Sequence, residues 1–198
     1  MVSEDSRPST SNAKVDALCD IYYPRKRALT LHKLSVEQIF QSTQMRTQNK
    51  PIVAVDPGVS GGFAVNTPDG IILLSMPESL PEICALINQL KTANAQLWIE
   101  ELPLFVSPMT KSSSMATLHR NLGRVEAAAY AYGYALHRAA PKVWQAPLGL
   151  GGKASCKDHS EWKRKLKAKA QELYPHLDVT LKNCDALLIL HYALGGGR

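Results

Sequence analysis

The stretch IVAVDPGVSGGFAV, residues 52–65, decides how the rest of the chain is interpreted. Four apolar residues precede Asp56, a Pro-Gly turn and two further glycines follow it, and a second apolar run begins at Phe63. Apolar, β-branched runs bounded by Gly and Pro predict a hairpin of core strands. A carboxylate at the end of a buried strand needs a positive partner or a metal ion. Asp56 is therefore either part of an ordinary turn or a functional acid.

The composition is that of an ordinary globular protein with excess positive charge. With 198 residues and 45% hydrophobic content, the chain suffices for one compact domain. It has neither a signal-peptide layout nor an apolar run near the roughly 20 residues that span a bilayer, so we expect a cytoplasmic protein without a membrane partner. Four scattered cysteines without a CxxC pair argue against a zinc finger or a disulfide framework. The net charge of +6 favours nucleic acid as partner, with a merely solvated basic surface as the alternative.

The positive charge is concentrated in one segment. Between Lys153 and Lys169 seven basic residues accompany only two acidic ones, Asp158 and Glu161. Apolar residues recur there at helical spacing, which predicts an amphipathic helix at about 157–173 with most lysines on its outer faces. We predict contacts with a nucleic-acid backbone for Lys153, Lys157, Lys163, Arg164 and Lys167.

Elsewhere the pattern of apolar and turn residues predicts strands followed by alternating helices and strands. Residues 1–50 form an N-terminal extension, partly helical or mobile, 51–194 form the main domain, and 195–198 are a flexible tail. The main domain begins with a three-strand meander at 51–76. The elements predicted after it are a helix at 79–94, a strand at 96–101, an alanine-rich helix at 115–132, a strand at 134–138, a helical turn at 141–145, the basic helix and a buried helix at 181–194.

Three isolated acids are attached to apolar elements: Asp56 after the first strand, Glu100 at the end of the fourth, and Asp185 near the start of the last helix. If the first and fourth strands are parallel neighbours, their carboxyl ends lie side by side and the last helix can bring the third acid to the same edge. Magnesium takes oxygen ligands, and two such ions about 4 Å apart can drive an in-line phosphodiester displacement. The pattern therefore predicts a metal site beside a basic helix, although strand-end acids also serve as caps and surface residues.

Several motifs together resemble RuvC-like Holliday junction resolvases of the RNase H-like superfamily. Any one motif is weak, but their order along 51–194 is specific, and the combination is most similar to short RuvC-like proteins of phages and bacteria. The similar stretches are 52–65, Trp98-Ile99-Glu100-Glu101, 114–123, 141–153 and Asp185-Ala186-Leu187-Leu188-Ile189.

This resemblance implies a fold and an activity. The fold is α/β: a mixed five-stranded sheet, with a three-strand meander and then parallel strands, and helices on both faces. The activity is endonucleolytic hydrolysis of DNA phosphodiesters at Holliday junctions during recombination and repair, by a cytoplasmic homodimer in a bacterial or phage-infected cell. By the resemblance, Asp56, Glu100 and Asp185 are catalytic ligands of Mg²⁺ or Mn²⁺, with two ions expected.

One position departs from the resolvase pattern. Three residues before Asp185 the family commonly has an acid or a His, and this chain has Lys182. Either Glu101 or Asp158 substitutes for it, or Lys182 itself acts catalytically by holding a phosphate or water. The remaining alternative is a weakly active or inactive module that binds DNA junctions. A nucleotide-binding protein of the actin and sugar-kinase kind also has an Asp-x-Gly turn, but that fold needs two such domains.

Further residues are candidates for DNA contacts. Phe105, in the loop after Glu100, is a candidate wedge on an unpaired base, where stacking is worth roughly 1–3 kcal/mol, with packing against a dimer partner as the alternative. For His119 and His159 we favour a surface position or a hydrogen-bonded polar role without DNA contact. For Trp144 we favour a position in the core. We also predict backbone contacts for Lys111, Arg120 and Arg124, with simple solvation as the alternative.

Overall fold

Five strands form one mixed sheet in the computed structural model, which describes residues 51–102 and 112–196. The sheet order is β3-β2-β1-β4-β5; β1 pairs antiparallel with β2, as does β2 with β3, and β4 lies parallel to both β1 and β5. The predicted fold class, an α/β mixed five-stranded sheet with a three-strand meander followed by parallel strands, is therefore confirmed. The strands are β1 Ile52–Asp56, β2 Gly62–Thr67, β3 Gly70–Ser75, β4 Gln96–Glu100 and β5 Ala135–Ala139.

The described helices follow the predicted order, with shifted ends. The first begins after a capping box in which Ser79 and Glu82 exchange hydrogen bonds between side chain and backbone. The last begins three residues later than predicted, because the Asn183 side chain accepts from the Thr180 N–H and donates to the Asp178 carbonyl. The helices are α1 Leu80–Gln89, α2 Ser112–Ala131, α3 Pro141–Gln145, α4 His159–Leu173 and α5 Cys184–Ala193.

Helices cover both faces of the sheet, as predicted. All five residues of β1 are buried, and its side chains alternate between two apolar clusters. Val53 and Val55 belong to the cluster that includes α1 and α2, while Ile52 and Ala54 belong to the cluster that includes α3, α4 and α5. This double cover fixes the end of β1 where Asp56 lies.

The alanine-rich helix α2 packs through its second half. Val125, Ala128 and Ala129 are buried, whereas Gly123 is exposed, and a Cβ built on it would have no neighbour within 4 Å in the described part of the chain. Gly123 therefore does not mediate a close helix contact. Of the helices in the described part of the chain, none has the length and apolarity that a membrane crossing requires.

Some predictions concern residues outside those that the structure describes. They are the N-terminal extension at 1–50, the candidate wedge Phe105 and the candidate DNA contact Lys111.

Candidate active site

Asp56 ends the central strand β1, and a glycine turn is folded closely around its carboxylate. Asp56 is buried, and its Oδ1 accepts a hydrogen bond from the Gly58 N–H at 2.9 Å. The Gly61 N–H donates to the Gly58 carbonyl at 2.9 Å and closes the turn. A Cβ on Gly61 would lie 2.8 Å from Asp56 Cγ and 2.3 Å from its backbone oxygen. Glycine at this position therefore lets the turn hold the carboxylate in place.

Two further acids reach the same edge of the sheet. Glu100 ends β4, the parallel neighbour of β1, and is half-buried. Asp185 lies in the first turn of α5, which packs against β1, β2 and β4. It is buried, and its Oδ1 accepts a hydrogen bond from the Cys184 thiol at 3.2 Å. The structure thus brings together the three acids that were predicted to share a site.

A lysine lies between two of these acids. Lys163, in the first half of α4, donates a hydrogen bond to Asp185 Oδ2, and its Nζ is 3.8 Å from Asp56 Oδ2. The sequence predicted a DNA-backbone contact for it, so its contact with the acids is a finding of the structure. Burial lowers the pKa of Lys163, but attraction to Asp185 and Asp56 outweighs that effect and the pKa is raised overall. The ammonium group is therefore charged at neutral pH.

The acids repel one another. Burial, followed by repulsion from Asp185, raises the pKa of Asp56 despite the nearby Lys163 ammonium. Burial, followed by repulsion from Asp56 and Asp185, raises the pKa of Glu100 to about 8. The Lys163 charge only partly offsets this repulsion. The cluster therefore favours a proton on Glu100, or an additional cation.

We expect this proton to make the stability of the metal-free protein depend on pH. The pKa of Glu100 rises from its ordinary 4.5 to about 8 on folding, so its stabilising contribution is complete below about 4.5 and is lost as pH rises through about 8. Glu100→Gln stays neutral throughout. In EDTA, the melting temperature of Glu100→Gln relative to that of the wild type should therefore increase from about pH 5 to about pH 9.

The matched control is Glu172→Gln, which changes an exposed surface carboxylate paired with Lys169. Thermal denaturation across the same pH range should show no comparable gain for it. A melting-temperature difference between Glu100→Gln and wild type that stays constant across this range would contradict the prediction.

The acids lie in a cleft of about 600 Å³ whose walls are basic. Lys153, Arg164 and Lys182 are exposed residues of its lining, and His159 lies beside them. The cleft therefore combines carboxylates with surrounding positive charge. The remaining predicted DNA contacts that the structure describes, namely Arg120, Arg124, Lys157 and Lys167, do not line this cleft.

The residues that could replace the missing fourth acid lie at different places relative to the cleft. Lys182 lies in the turn before α5 and lines the cleft. Asp158 instead caps α4, where its carboxylate accepts from the Glu161 N–H at 2.7 Å. Glu101 is exposed, and neither it nor Asp158 lines the cleft. Of the three, only Lys182 is positioned to meet a substrate in the cleft.

The donor set suits a hard divalent cation in part. Within residues 51–102 and 112–196, no three His, Cys, Asp or Glu side chains are grouped closely enough to hold one ion. Asp56 and Asp185 nevertheless converge on one cation, the Lys163 ammonium. Magnesium typically takes only one or two carboxylates and completes its shell with water and phosphate oxygens. The Asp56–Asp185 pair therefore fits such an ion if Lys163 moves aside.

Trp144 is buried, as predicted, and is also close to the site. The side chain is fully inaccessible to solvent, and its indole N–H has no hydrogen-bond partner of ordinary geometry among the described residues. It lies near enough to Glu100 to lower the pKa of that carboxyl somewhat. Periodicity indicated a core tryptophan but gave no sign that its polar edge would face an acid.

Two solved structures of Thermus thermophilus RuvC are similar to this chain. One, in complex with a Holliday junction substrate, has 15% sequence identity and a TM-score of 0.49, and the match covers 76% of this chain and 99% of RuvC. The other has 17% identity and a TM-score of 0.47, with 74% and 97% covered. No model of a protein family matches the chain, and no curated protein shows significant similarity to it.

Proposed function

We propose that this protein is a metal-dependent endodeoxyribonuclease that nicks branched DNA such as Holliday junctions. One observation carries the proposal: Asp56, Glu100 and Asp185 lie in a single cleft whose walls carry exposed basic side chains. Carboxylates alone would repel a DNA backbone, and basic residues alone would bind it without chemistry. Their combination in one cleft suits phosphodiester hydrolysis.

The proposed reaction is attack of water on the scissile phosphorus with departure of one ester oxygen in line. When bound by Asp56 and Asp185 with Glu100 beside them, Mg²⁺ or Mn²⁺ supplies activation of that water and stabilisation of the leaving oxygen. The exposed Lys153 and Arg164 hold phosphates at the cleft wall. Lys182, in place of a fourth acid, contributes a positive charge to the same wall.

Selectivity for branched DNA is supported by the order of the sequence motifs, which resembles that of RuvC-like resolvases. We also propose a homodimer, because two copies related by a two-fold axis would offer one cleft to each of two opposed strands of a junction.

The test is nicking of a synthetic four-way junction and of a linear duplex with the same sequences, each in Mg²⁺, in Mn²⁺ and in EDTA. We expect nicking of the junction alone, and only with a metal. Equal cutting of the linear duplex would contradict the structural selectivity, and cutting in EDTA would contradict the dependence on metal.

A junction-binding module without turnover is the second candidate. The observation in its favour is Lys163, whose ammonium already forms ion pairs with both Asp56 and Asp185. That candidate predicts tight, salt-sensitive junction binding with no nicking in either metal. The nicking assay therefore separates the two functions.

Both candidates predict that exposed cations of the cleft bind phosphates. The double variant Lys153→Ala, Arg164→Ala should bind the junction more weakly, and its plot of log affinity against log salt should be shallower by about 0.9 for each lost phosphate contact. Fluorescence anisotropy over a salt series measures this slope. Lys142→Ala removes an exposed lysine that does not line the cleft, and it should leave the slope unchanged. An unchanged slope in the double variant would show that DNA binds elsewhere.

A further inference from the structure

We propose that Lys163 is a built-in counter-ion of the Asp56–Asp185 pair, which a divalent metal must displace in order to bind. The inference rests on the proposed metal-dependent function and adds a residue that regulates access of the metal to the site. It assigns Lys163 a positioning role rather than contact with the reacting atoms.

The contacts of Lys163 single it out among the described residues. It is the cation that forms ion pairs with both acids, with its Nζ hydrogen-bonded to Asp185 and 3.8 Å from Asp56. These acids project from different elements, Asp56 from the end of β1 and Asp185 from the first turn of α5. Lys163, on α4, therefore joins the strand and both helices at the floor of the cleft.

A metal ion and this ammonium group cannot share the two carboxylates. Magnesium binds carboxylate oxygens at about 2.0–2.1 Å and tolerates little departure from octahedral geometry. The Lys163 ammonium occupies a lone pair of Asp185 Oδ2 through its hydrogen bond, and at 3.8 Å from Asp56 Oδ2 it repels a second cation placed between the two carboxylates. Occupation of the site by metal therefore requires Lys163 to leave.

The cleft has space into which the Lys163 side chain can turn. Its side chain is 25% exposed and lines the open cleft, with Arg164 beside it on the same helix. Lysine has a flexible four-carbon stem, so the ammonium can turn from the acids to a phosphate in the cleft without movement of the backbone. The same positive charge then partly offsets the charge of the acids before substrate binds and that of the phosphate afterwards.

Lys169 supplies a matched control on the same helix. Its side chain is 22% exposed, close to the 25% of Lys163, and it pairs with a carboxylate at 2.8 Å. That partner is Glu172, which is 67% exposed and three residues away on the same helix, so the pair is a local surface contact. Substitution of Lys169 removes an equivalent lysine without changing the acids of the cleft.

The experiment is titration of Mn²⁺ into DNA-free protein, followed by electron paramagnetic resonance of the unbound ion. Lys163→Met should bind Mn²⁺ at least about tenfold more tightly than wild type, because the competing cation is gone. In EDTA its melting temperature should fall below that of the wild type, and Mn²⁺ should raise it by more than it raises the wild type. Lys163→Arg keeps the charge and should bind Mn²⁺ as wild type does, as should Lys169→Met.

Equal or weaker binding of Mn²⁺ by Lys163→Met, or no binding by either protein, would overturn the inference. If Lys163→Met does not fold, Lys163→Gln replaces it under the same criteria. Failure of the proposed function is a separate result: a wild type that nicks no junction, while Lys163→Met still gains affinity for Mn²⁺, refutes the nuclease and leaves the counter-ion role standing.

Discussion

Asp56→Asn should abolish nicking of a four-way junction, with a loss of about 10³-fold or more, while the protein remains folded. The substitution removes the negative charge that, in the proposed site, holds the metal ion. The amide oxygen of Asn can still accept the hydrogen bond that Gly58 donates to Asp56 at 2.9 Å. The neutral amide also avoids two effects that raise the pKa of Asp56, namely the cost of burying a charge and the repulsion from Asp185. The melting temperature should therefore not fall.

Nicking rates and thermal denaturation of both proteins measure this outcome. The control is Asp69→Asn, which makes the same chemical change at an exposed position in the turn between β2 and β3 and should keep full activity. Junction binding should persist in Asp56→Asn because the basic wall of the cleft is intact. Equal nicking rates for Asp56→Asn and wild type would refute the metal-dependent nuclease.

Gly61→Ala should reduce nicking by about 10²-fold through displacement of the same carboxylate. The added Cβ would lie 2.3 Å from the backbone oxygen of Asp56 and 2.8 Å from its Cγ, so the turn must shift. The contacts are with backbone and a short side chain, neither of which can move aside cheaply. Overpacking of this kind also costs about 1–3 kcal/mol of stability.

Gly123→Ala should have the opposite effect on stability and no effect on nicking. Gly123 lies within α2 and is exposed, and no described residue lies within 4 Å of the position that its Cβ would take. Alanine should therefore stabilise the helix by about 0.5–1 kcal/mol and leave nicking unchanged. Denaturant unfolding and the nicking assay together distinguish the two glycines. An active, fully stable Gly61→Ala would show that the turn does not position Asp56.

The convergence of the acids followed from sequence because it depends on topology. Apolar runs that end in Asp56 and Glu100 identify strand ends, and the carboxyl ends of parallel neighbours lie at one edge of a sheet. Asp185 follows from the same logic, since a buried helix must pack on that sheet. No exact side-chain geometry is needed for this conclusion.

The position of Lys163 did not follow from sequence. Helical periodicity separates the apolar face of α4, which carries Trp162 and Leu166, from its basic faces. Lys163 lies at the border between them, and only the packing of α4 against α5 decides that this lysine meets Asp185. A sequence pattern identifies the faces of a helix but not the residue that its neighbour will contact.

Lys182 shows how a local hydrogen bond changes an interpretation. Its spacing from Asp185 would place both on one helical face if the helix began at residue 181. The side chain of Asn183 instead bonds to the backbone of Thr180 and Asp178, and α5 begins at Cys184. Lys182 therefore lies on a turn, where family spacing no longer determines its direction.

The double cover of β1 also has a consequence for how the site opens. This strand pairs with β2 and β4, and all its residues are buried. Amide hydrogens in such a strand should exchange with solvent mainly when the whole domain unfolds, whereas the end of α4, a helix that is buried on one face only, can open at lower free energy. Asp56 is thus anchored in the most protected segment, and Lys163 belongs to an element that can loosen without it.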